Sequence, residues 1–164
     1  RALIGFMTEL LTLTRGYGII NHTFSEYRPM EKGSVGERKN GALVSMENGK
    51  ATNYGLMGLE DRGIMFIEPG APVYEGMIVG ENNKDLDLAV NVTRAKQLTN
   101  CRSAGKDNTV VLKKPRLITL EYALEYINED ELVEITPTSV RLRKKILDTA
   151  ERKKYDSKRR NGDI

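Results

Sequence analysis

The first hydrophobic pattern in the chain has the spacing of a helix. In residues 2–14 the apolar side chains recur every three or four positions, and the other side of the predicted helix is polar. Gly16 gives this helix a stop, and the pattern of residues 17–24 predicts a strand. Because one strand cannot cover the apolar face of a helix, we expect the other strands of that sheet to lie upstream of residue 1.

Short apolar pieces separated by turn residues fill the middle of the chain. The pair Asn48-Gly49, a strong hairpin signal, lies between predicted strands at residues 42–46 and 51–57. Three further strands are predicted at residues 64–67, 77–79 and 86–92. Strands of this length and spacing predict a small twisted barrel or sandwich.

One amphipathic helix and two more strands follow. Thr119 is the predicted N-cap of the helix. The apolar face of the helix comprises Leu120, Ala123, Leu124 and Ile127. Strands are predicted at residues 132–136 and 140–143, the second with a basic outer side. The predicted fold class is α+β, mainly β: a helix and a strand, then a small β-barrel-like domain with one packed helix.

A long polar segment separates two strand-like pieces, at residues 88–92 and 109–112. Loops of this length without secondary structure are uncommon in compact domains, and most of them are functional or disordered. Fixing each backbone residue costs about 1–2 kcal/mol, and this segment has hardly any apolar residue to offset that cost. We therefore expect a partner to order it. The alternative is a solvated connector.

The polar side chains of this segment suit the phosphate and sugar oxygens of a nucleic acid. Cations are interleaved with side chains that make shorter-range hydrogen bonds. The set is Arg94, Lys96, Gln97, Thr99, Asn100, Arg102, Ser103 and Lys106. No tyrosine occurs among them, so the sequence favours recognition of backbone and shape over base stacking.

The distribution of charge along the 164 residues also indicates a polyanionic partner. The net charge is only +3, but acidic residues concentrate at 121–134, whereas basic residues concentrate at 93–116 and again at 141–160. Concentration of one sign in this way is typical of a nucleic-acid-binding surface. For residues 158–164 we favour the alternative interpretation, a solvated tail that keeps the protein soluble.

Several other kinds of site are excluded or disfavoured. No apolar run approaches the length of a membrane span, and neither a G-x-x-x-x-G-K-[ST] nor a G-x-S-x-G motif occurs. A single cysteine, Cys101, and a single histidine, His22, argue against a disulfide framework and a metal site. We interpret His22 as a structural strand residue. We expect no catalytic residue, metal or cofactor within these residues.

Two segments near the start resemble a known family. Thr14-Arg15-Gly16-Tyr17-Gly18 and Asn21-His22-Thr23-Phe24 are similar to the end of the elongation-factor-G-type fifth domain in the TypA/BipA family of translational GTPases. Later segments resemble that family's own C-terminal domain. They are GERKNG at 36–41, GLEDRG at 58–63, VYEGMIVG at 73–80, KQLTN at 96–100, TLE at 119–121 and DELVEITP at 130–137. Together they cover essentially the whole chain apart from its last residues.

This resemblance implies a division of the chain into three parts. Residues 1–27 would be the C-terminal half of the fifth domain, which is a split βαβ (ferredoxin-like) unit. Residues 28–148 would be the family-specific C-terminal domain. For residues 149–164 the low apolar content itself predicts a basic, flexible tail. The GTP-binding domain lies outside this chain. The resemblance therefore implies GTP and magnesium as cofactors of the whole protein, with no cofactor and no enzymatic activity in these residues.

The resemblance also implies a partner and a task. The whole protein would dock on the ribosome and assist large-subunit assembly, translation and stress adaptation. Residues 94–107 would contact the acceptor arm of the A-site transfer RNA or ribosomal RNA. The matching contact positions are Lys96, Gln97, Thr99, Asn100, Arg102, Ser103 and Lys106. We expect a monomeric cytoplasmic module that binds the ribosome, ribosomal RNA and A-site transfer RNA, and that contacts neither membrane nor DNA.

Two other functions stay open from the residues alone. A protein-interaction domain without direct RNA contact would use the acidic helix surface and the strands that contain methionine. A small enzyme would use Cys101 as its nucleophile, although the sequence singles out neither a base nor an oxyanion site for it. Salt dependence separates RNA binding from apolar protein docking, and replacement of Cys101 by Ser tests the enzyme.

Overall fold

The structure, a computed structural model, describes residues 6–29, 38–96 and 112–161 of the chain. Within these ranges the fold is α+β, as predicted. The helices are α1 (Phe6–Leu13), α2 (Asn53–Met57), α3 (Leu120–Tyr126) and α4 (Thr149–Asn161). The strands are β1 (Ala42–Ser45), β2 (Gly49–Lys50), β3 (Gly63–Met65), β4 (Pro72–Val73), β5 (Met77–Asn82), β6 (Leu88–Val90), β7 (Glu131–Ile135) and β8 (Val140–Lys144). None of these helices is both long and apolar enough to cross a membrane.

The strands form one six-stranded sheet and one two-stranded ribbon. The order in the sheet is β6-β1-β5-β8-β7, and β3 pairs with the second half of β5. Strands β1 and β6 run parallel, whereas the other pairs are antiparallel. The ribbon consists of β2 and β4. In the described ranges the sheet stays open, with β6 and β7 as its outer strands. The barrel-like closure expected from the sequence does not occur there, because β6 and β7 do not pair with each other.

Strands β1 and β5 are buried on both faces of the sheet. Successive side chains of a strand point to opposite faces, so Leu43 and Val79 enter one core while Val44 and Ile78 enter the other. The first core contains residues of α2 and of the ribbon: Leu43, Ala51, Leu56, Leu59, Met65, Val73, Met77, Val79, Val90 and Val92. The second core lies under α3: Ala42, Val44, Ile78, Ala123, Tyr126 and Leu142. Burial on both faces explains why β1 carries apolar residues without alternation.

Helix α3 begins where the sequence predicts, but it buries a different face. A backbone N–H of its first turn donates to Thr119 Oγ1 at 3.2 Å, which confirms Thr119 as the N-cap. Ala123 and Tyr126 are buried, whereas Leu120 and Leu124, which we expected to point inward, are 44% and 50% exposed. The ring of Tyr126 packs edge-on against an aromatic ring that follows β3, and an aromatic side chain buries a large apolar area.

The hairpin predicted at Asn48-Gly49 does not form. Strand β2 pairs with β4 rather than with β1, and Asn48 Oδ1 accepts a hydrogen bond from Glu75 N at 2.8 Å. The strand predicted at residues 51–57 is mostly helix α2. Thr52 caps this helix, because its Oγ1 accepts a hydrogen bond from Gly55 N at 3.0 Å.

Helix α1 confirms the helical prediction over its described residues. Gly16 has a φ of 87°, and its N–H donates to Leu11 O at 2.6 Å, which ends the helix at the predicted stop. The strand predicted at residues 17–24 is absent, since residues 17–29 form neither helix nor strand. A strand needs partners for its backbone hydrogen bonds, and no described strand pairs with this stretch.

Helix α4 forms where the sequence predicts a flexible tail. Asp148 begins it: the Oδ1 atom accepts a hydrogen bond from Glu151 N at 2.7 Å, and the backbone oxygen accepts one from Arg152 N at 3.0 Å. Local capping therefore supports a helix whose sequence has too little apolar content to predict one. The mobility of this helix stays a prediction.

Gly63 tests the close pairing of β3 with β5. A Cβ at this position would lie 1.8 Å from Glu81 O, so we expect Gly63→Ala to lower the free energy of unfolding by about 2 kcal/mol or more. Gly58 is the matched control, because a Cβ there would have no neighbour closer than 3.9 Å and its backbone is right-handed helical. Gly58→Ala should be neutral or stabilise by about 0.5 kcal/mol. Equal urea-denaturation midpoints for Gly63→Ala and Gly58→Ala would contradict the close pairing of β3 with β5.

Candidate nucleic-acid interface

Two of the predicted RNA-binding residues lie in the part of the chain that the structure describes. Arg94 and Lys96 are both exposed, in the segment that follows β6. The others lie outside the described residues: Gln97, Thr99, Asn100, Arg102, Ser103 and Lys106. The structure therefore defines the two attachment points of the polar segment. We call them the loop base, residues 91–96 on one side and 112–116 on the other.

The first side of the loop base is held by the N-terminus of α2. Thr52 N donates to Val92 O at 2.9 Å, and Thr52 Oγ1 donates to Arg94 O at 2.5 Å. Gly55 permits this close approach, since a Cβ there would lie 2.4 Å from Val92 O. The threonine that caps α2 therefore also fixes the backbone from which Arg94 extends.

Side chains add further contacts on the same side. Thr93 Oγ1 lies 2.9 Å from Asn91 Oδ1 and 3.0 Å from Glu47 Oε2, and Thr93 N donates to Asn91 Oδ1 at 3.0 Å. The bond to Glu47 joins the start of the loop to the turn after β1. The Arg94 guanidinium lies 5.7 Å from the centroid of the Tyr54 ring, which is within the range of a cation–π contact.

The second side of the loop base is held by the chain around β3. Lys113 N donates to Glu60 Oε1 at 2.5 Å, and Arg116 N donates to Met65 O at 2.8 Å. Leu112 packs against the core that contains α2. Both ends of the polar segment therefore return to the same part of the domain, next to α2 and β3.

Arg116 connects the loop base to α3 through its side chain. Its Nη1 donates to Tyr122 OH at 2.9 Å and to Glu81 Oε2 at 3.2 Å. Burial by itself lowers the pKa of Arg116, but the bond to Tyr122 and the charge of Glu81 outweigh burial and raise it. The guanidinium stays charged and joins the loop base to β5 and α3.

The loop base displays positive charge to solvent. Its exposed cations are Arg94, Lys96, Lys113, Lys114 and Arg116. The nearby carboxylates of Glu47 and Glu60 accept hydrogen bonds from the base itself. Lys113 and Lys114 are not among the site residues predicted from the sequence, although their place in the basic stretch was a usable signal. Tyr54 gave no such signal, since it reaches Arg94 from a different element.

A buried ion cluster lies beside the second core; it consists of Arg38, Asp87, Asp130, Glu131 and Lys144. Glu131 is at its centre, with a fully buried side chain. Arg38 donates two hydrogen bonds to the Glu131 carboxylate, at 2.9 and 3.0 Å, and Lys144 Nζ lies 2.8 Å from Glu131 Oε1. The cluster joins the segment before β1 to the start of β7 and the end of β8.

The three carboxylates of the ion cluster are close enough together to be considered as metal ligands. One oxygen from each of Asp87, Asp130 and Glu131 lies within 4.8 Å of the others. Lys144 Nζ, however, lies 2.6 Å from Asp130 Oδ2 and also contacts Asp87 Oδ2. The ammonium group takes the place that a metal cation would need, so the geometry supports an ion-pair network at this position.

Both cations of the cluster stay charged despite their burial. Burial by itself lowers the pKa of Lys144, but Glu131, Asp87 and Asp130 together outweigh burial and hold it above its ordinary value. Burial acts in the same direction on Arg38, and its hydrogen bonds to Glu131 raise its pKa in spite of this. Two buried cations therefore face three carboxylates, one fully buried and two partly exposed, so the cluster has a formal net charge of −1.

A groove of about 550 Å³ lies between the ion cluster and α4. Its charged lining residues are Asp87, Glu129, Asp130, Lys144, Lys145, Arg152, Lys153 and Asp156. Cations and carboxylates occur there in equal number, so the groove has no clear preference for a ligand of either charge.

The chain is similar to known proteins over most of its length. The family described as the TypA/BipA C-terminal domain matches residues 40–149. "Large ribosomal subunit assembly factor BipA" of Bacillus subtilis (strain 168) is 60% identical over the whole chain, which covers 27% of that protein. The protein of the same name from Synechocystis sp. is 54% identical over 88% of the chain, or 24% of its own length. The one from Escherichia coli (strain K12) is 49% identical over 94% of the chain, or 25% of its own length. The chain thus spans about a quarter of the length of these curated relatives.

Removal of Lys144 should reveal the cost of burying Glu131. We expect Lys144→Met to lower the free energy of unfolding by about 3–5 kcal/mol, because it leaves a fully buried carboxylate with one cation fewer. The double variant Lys144→Met/Glu131→Gln should recover part of this loss. Chemical denaturation of the double variant and both single variants measures the coupling. Strictly additive effects would contradict a direct ion pair.

The pH dependence of this contribution follows from the direction of the pKa shift. Because the pKa of Lys144 is raised in the folded chain, its stabilisation is fully present below pH 10.5, the ordinary pKa, and is lost as the pH rises through the folded pKa. The difference in unfolding free energy between wild type and Lys144→Met should therefore stay constant from about pH 7 to pH 9. A difference that already shrinks in this range would mean that burial lowers the pKa.

Proposed function

Because this chain belongs to the TypA/BipA family, we propose that it is the ribosome- and RNA-binding C-terminal module of a ribosome-associated GTPase. The whole protein assists large-subunit assembly, translation and stress adaptation in the cytoplasm. Within this module, residues 94–107 contact the acceptor arm of the A-site transfer RNA or ribosomal RNA. The module itself binds and performs no chemistry.

The names of the relatives support the ribosomal part of this proposal. Each of the three relatives described above is named a large ribosomal subunit assembly factor. Since the chain covers about a quarter of each of them, we assign GTP and magnesium binding to a part of the protein outside these residues. The sequence contains no phosphate-binding loop that would place this chemistry in the module.

The loop base is the observation that carries the RNA-binding part of the proposal. Thr52 holds one attachment point, and Glu60 and Met65 hold the other. The cations at these points are exposed, while the carboxylates beside them accept hydrogen bonds from the base. A fixed base concentrates positive charge in one place, and phosphate binding by several cations releases counterions and favours association.

The residues of the loop have two kinds of task in this proposal. The cations Arg94, Lys96, Arg102 and Lys106 neutralise phosphates, and arginine can bind a phosphate through two hydrogen bonds. The polar residues Gln97, Thr99, Asn100 and Ser103 make hydrogen bonds to sugar and phosphate oxygens. The ribose 2′-hydroxyl is the group that would distinguish RNA from DNA at these positions.

A second candidate function is protein binding without direct RNA contact. One observation favours it: Leu120 and Leu124 lie one turn apart on α3 and are about half exposed, and Leu117 just before the helix is 78% exposed. Glu121, which lies between the first two in sequence, is also exposed. An apolar strip with acidic neighbours suits the apolar and basic side chains of a protein partner.

Two loop cations provide the test of RNA binding. We expect Arg102→Ala/Lys106→Ala to weaken binding of the 164-residue chain to purified large ribosomal subunits. Four loop cations predict a slope of log affinity against log salt on the order of −3, and this variant should reduce the slope by about 1.4–1.8. Its melting temperature should equal that of the wild type, because in this proposal the two side chains contact the RNA and not the protein core.

The matched control is Lys39→Ala/Lys84→Ala, which removes two exposed lysines outside the loop base and should change binding little. A sharp fall in the melting temperature of the loop variant would instead show that the loop belongs to the core. Binding that is insensitive to salt would favour protein docking through Leu120 and Leu124.

A further inference from the structure

Helix α4 has almost no apolar side chain. Its sequence is TAERKKYDSKRRN, in which only Ala150 and Tyr155 are apolar or aromatic. Basic residues outnumber acidic ones, which are Glu151 and Asp156. A helix that is polar all round has no face that the hydrophobic effect holds against a core. Its place in the domain must therefore have another physical basis.

The first turn attaches α4 to the rest of the domain. Thr149 N donates to Glu75 Oε1 at 2.7 Å. The side chain of Arg152 donates from Nη1 to Ile146 O and from Nη2 to Thr149 Oγ1, both at 2.9 Å. Burial lowers the pKa of Arg152. The Arg152 guanidinium thus fixes the start of the helix through these hydrogen bonds, and we do not count it among the cations that could bind a partner.

The later lysines of α4 face solvent. Lys153, Lys154 and Lys158 are exposed, and none of them forms an ion pair or hydrogen bond with another residue in the described ranges. Lys154 and Lys158 are about 6 Å apart along the helix axis and lie on the same face. On the other side of the helix, Arg152, Lys153 and Asp156 line the groove toward the ion cluster.

We propose that α4 is a second phosphate-binding surface, which places Lys154 and Lys158 against the backbone of folded RNA. This inference rests on the proposed function, since it takes RNA of the ribosome as the partner. The contacts are independent of base sequence, because an ammonium group meets a phosphate as a point charge. The sequence continues this positive charge with Arg159 and Arg160.

The chemistry of α4 favours RNA over other partners. A helix that lies on a membrane needs a broad apolar face opposite its charges, and α4 has no such face. A protein interface depends on buried apolar, aromatic or arginine anchors, whereas the solvent-facing side of α4 offers lysines. An RNA backbone requires cations alone, and the first-turn attachment presents these cations from a fixed point on the domain.

The test measures binding of the 164-residue chain to an RNA duplex of about 20 base pairs, a length that exceeds one turn of A-form RNA. We expect Lys154→Gln/Lys158→Gln to weaken binding about tenfold near 0.1 M salt and to reduce the salt slope by about 1.4–1.8. Glutamine has a helix propensity similar to that of lysine, and circular dichroism checks that α4 persists. The control Lys39→Gln/Lys84→Gln removes the same charge elsewhere and should change binding less than twofold.

The loop variant Arg102→Ala/Lys106→Ala, measured in parallel on large ribosomal subunits, separates this inference from the proposed function. Weaker duplex binding in the α4 variant supports the inference even if the loop variant binds ribosomal subunits normally, in which case only the loop assignment fails. Equal losses of duplex affinity in the α4 variant and the lysine control would show that only the net charge of the chain matters, which would overturn the inference. Unchanged duplex binding, with lost binding to phosphatidylserine vesicles, would overturn it in favour of a membrane surface.

Discussion

Burial of β1 and β5 on both faces of the sheet is the constraint on which the rest of the structure depends. Leu43 and Val79 pack with residues of α2 and the two-stranded ribbon on one face, while Val44 and Ile78 pack with residues of α3 on the other. Beside the second core, the side chains of Arg38, Glu131 and Lys144 are shielded from solvent. Glu131 is buried there, and the domain can tolerate it because Arg38 and Lys144 neutralise it.

The same constraint explains where the candidate binding residues lie. The cations of the loop base and the lysines of α4 belong to neither core and are exposed. A partner can therefore bind them without disturbing the packing of the sheet. Their backbone is nevertheless fixed, by Thr52 and Glu60 at the loop base and by Glu75 at the start of α4. Because these attachment points are already fixed, the residues lose less conformational entropy when they bind a partner.

Local signals in the sequence predicted the elements whose structure is decided locally. The side chain of Thr119 caps α3 within one turn, and the strands β5, β7 and β8 follow from short apolar runs. These local signals did not predict which strands pair with each other. Asn48-Gly49 is a hairpin signal, yet Asn48 binds Glu75 and β2 pairs with β4. The buried face of α3 was also missed, because aromatic packing from another element decided it.

Some of the functional residues could likewise be predicted from the sequence, and others could not. A run of cations is visible in the sequence, and so are the segments that resemble a known family. The ion cluster was not predicted, because Arg38 and Glu131 are far apart along the chain and meet only after the sheet has formed. Lys144 looked like one more residue of a basic C-terminal stretch, whereas its side chain is buried against three carboxylates. Charge counted along a sequence does not distinguish a cation in a core from one that faces a partner.

The central claim is that this domain binds RNA through the segment between β6 and α3. Amide hydrogen exchange of the chain, alone and with purified large ribosomal subunits, tests it most directly, because exchange reports local opening along the whole chain. We predict that bound subunits slow exchange within residues 93–114 and leave exchange in β1 and β5 unchanged. Slower exchange confined to α3, with residues 93–114 unaffected, would contradict the account.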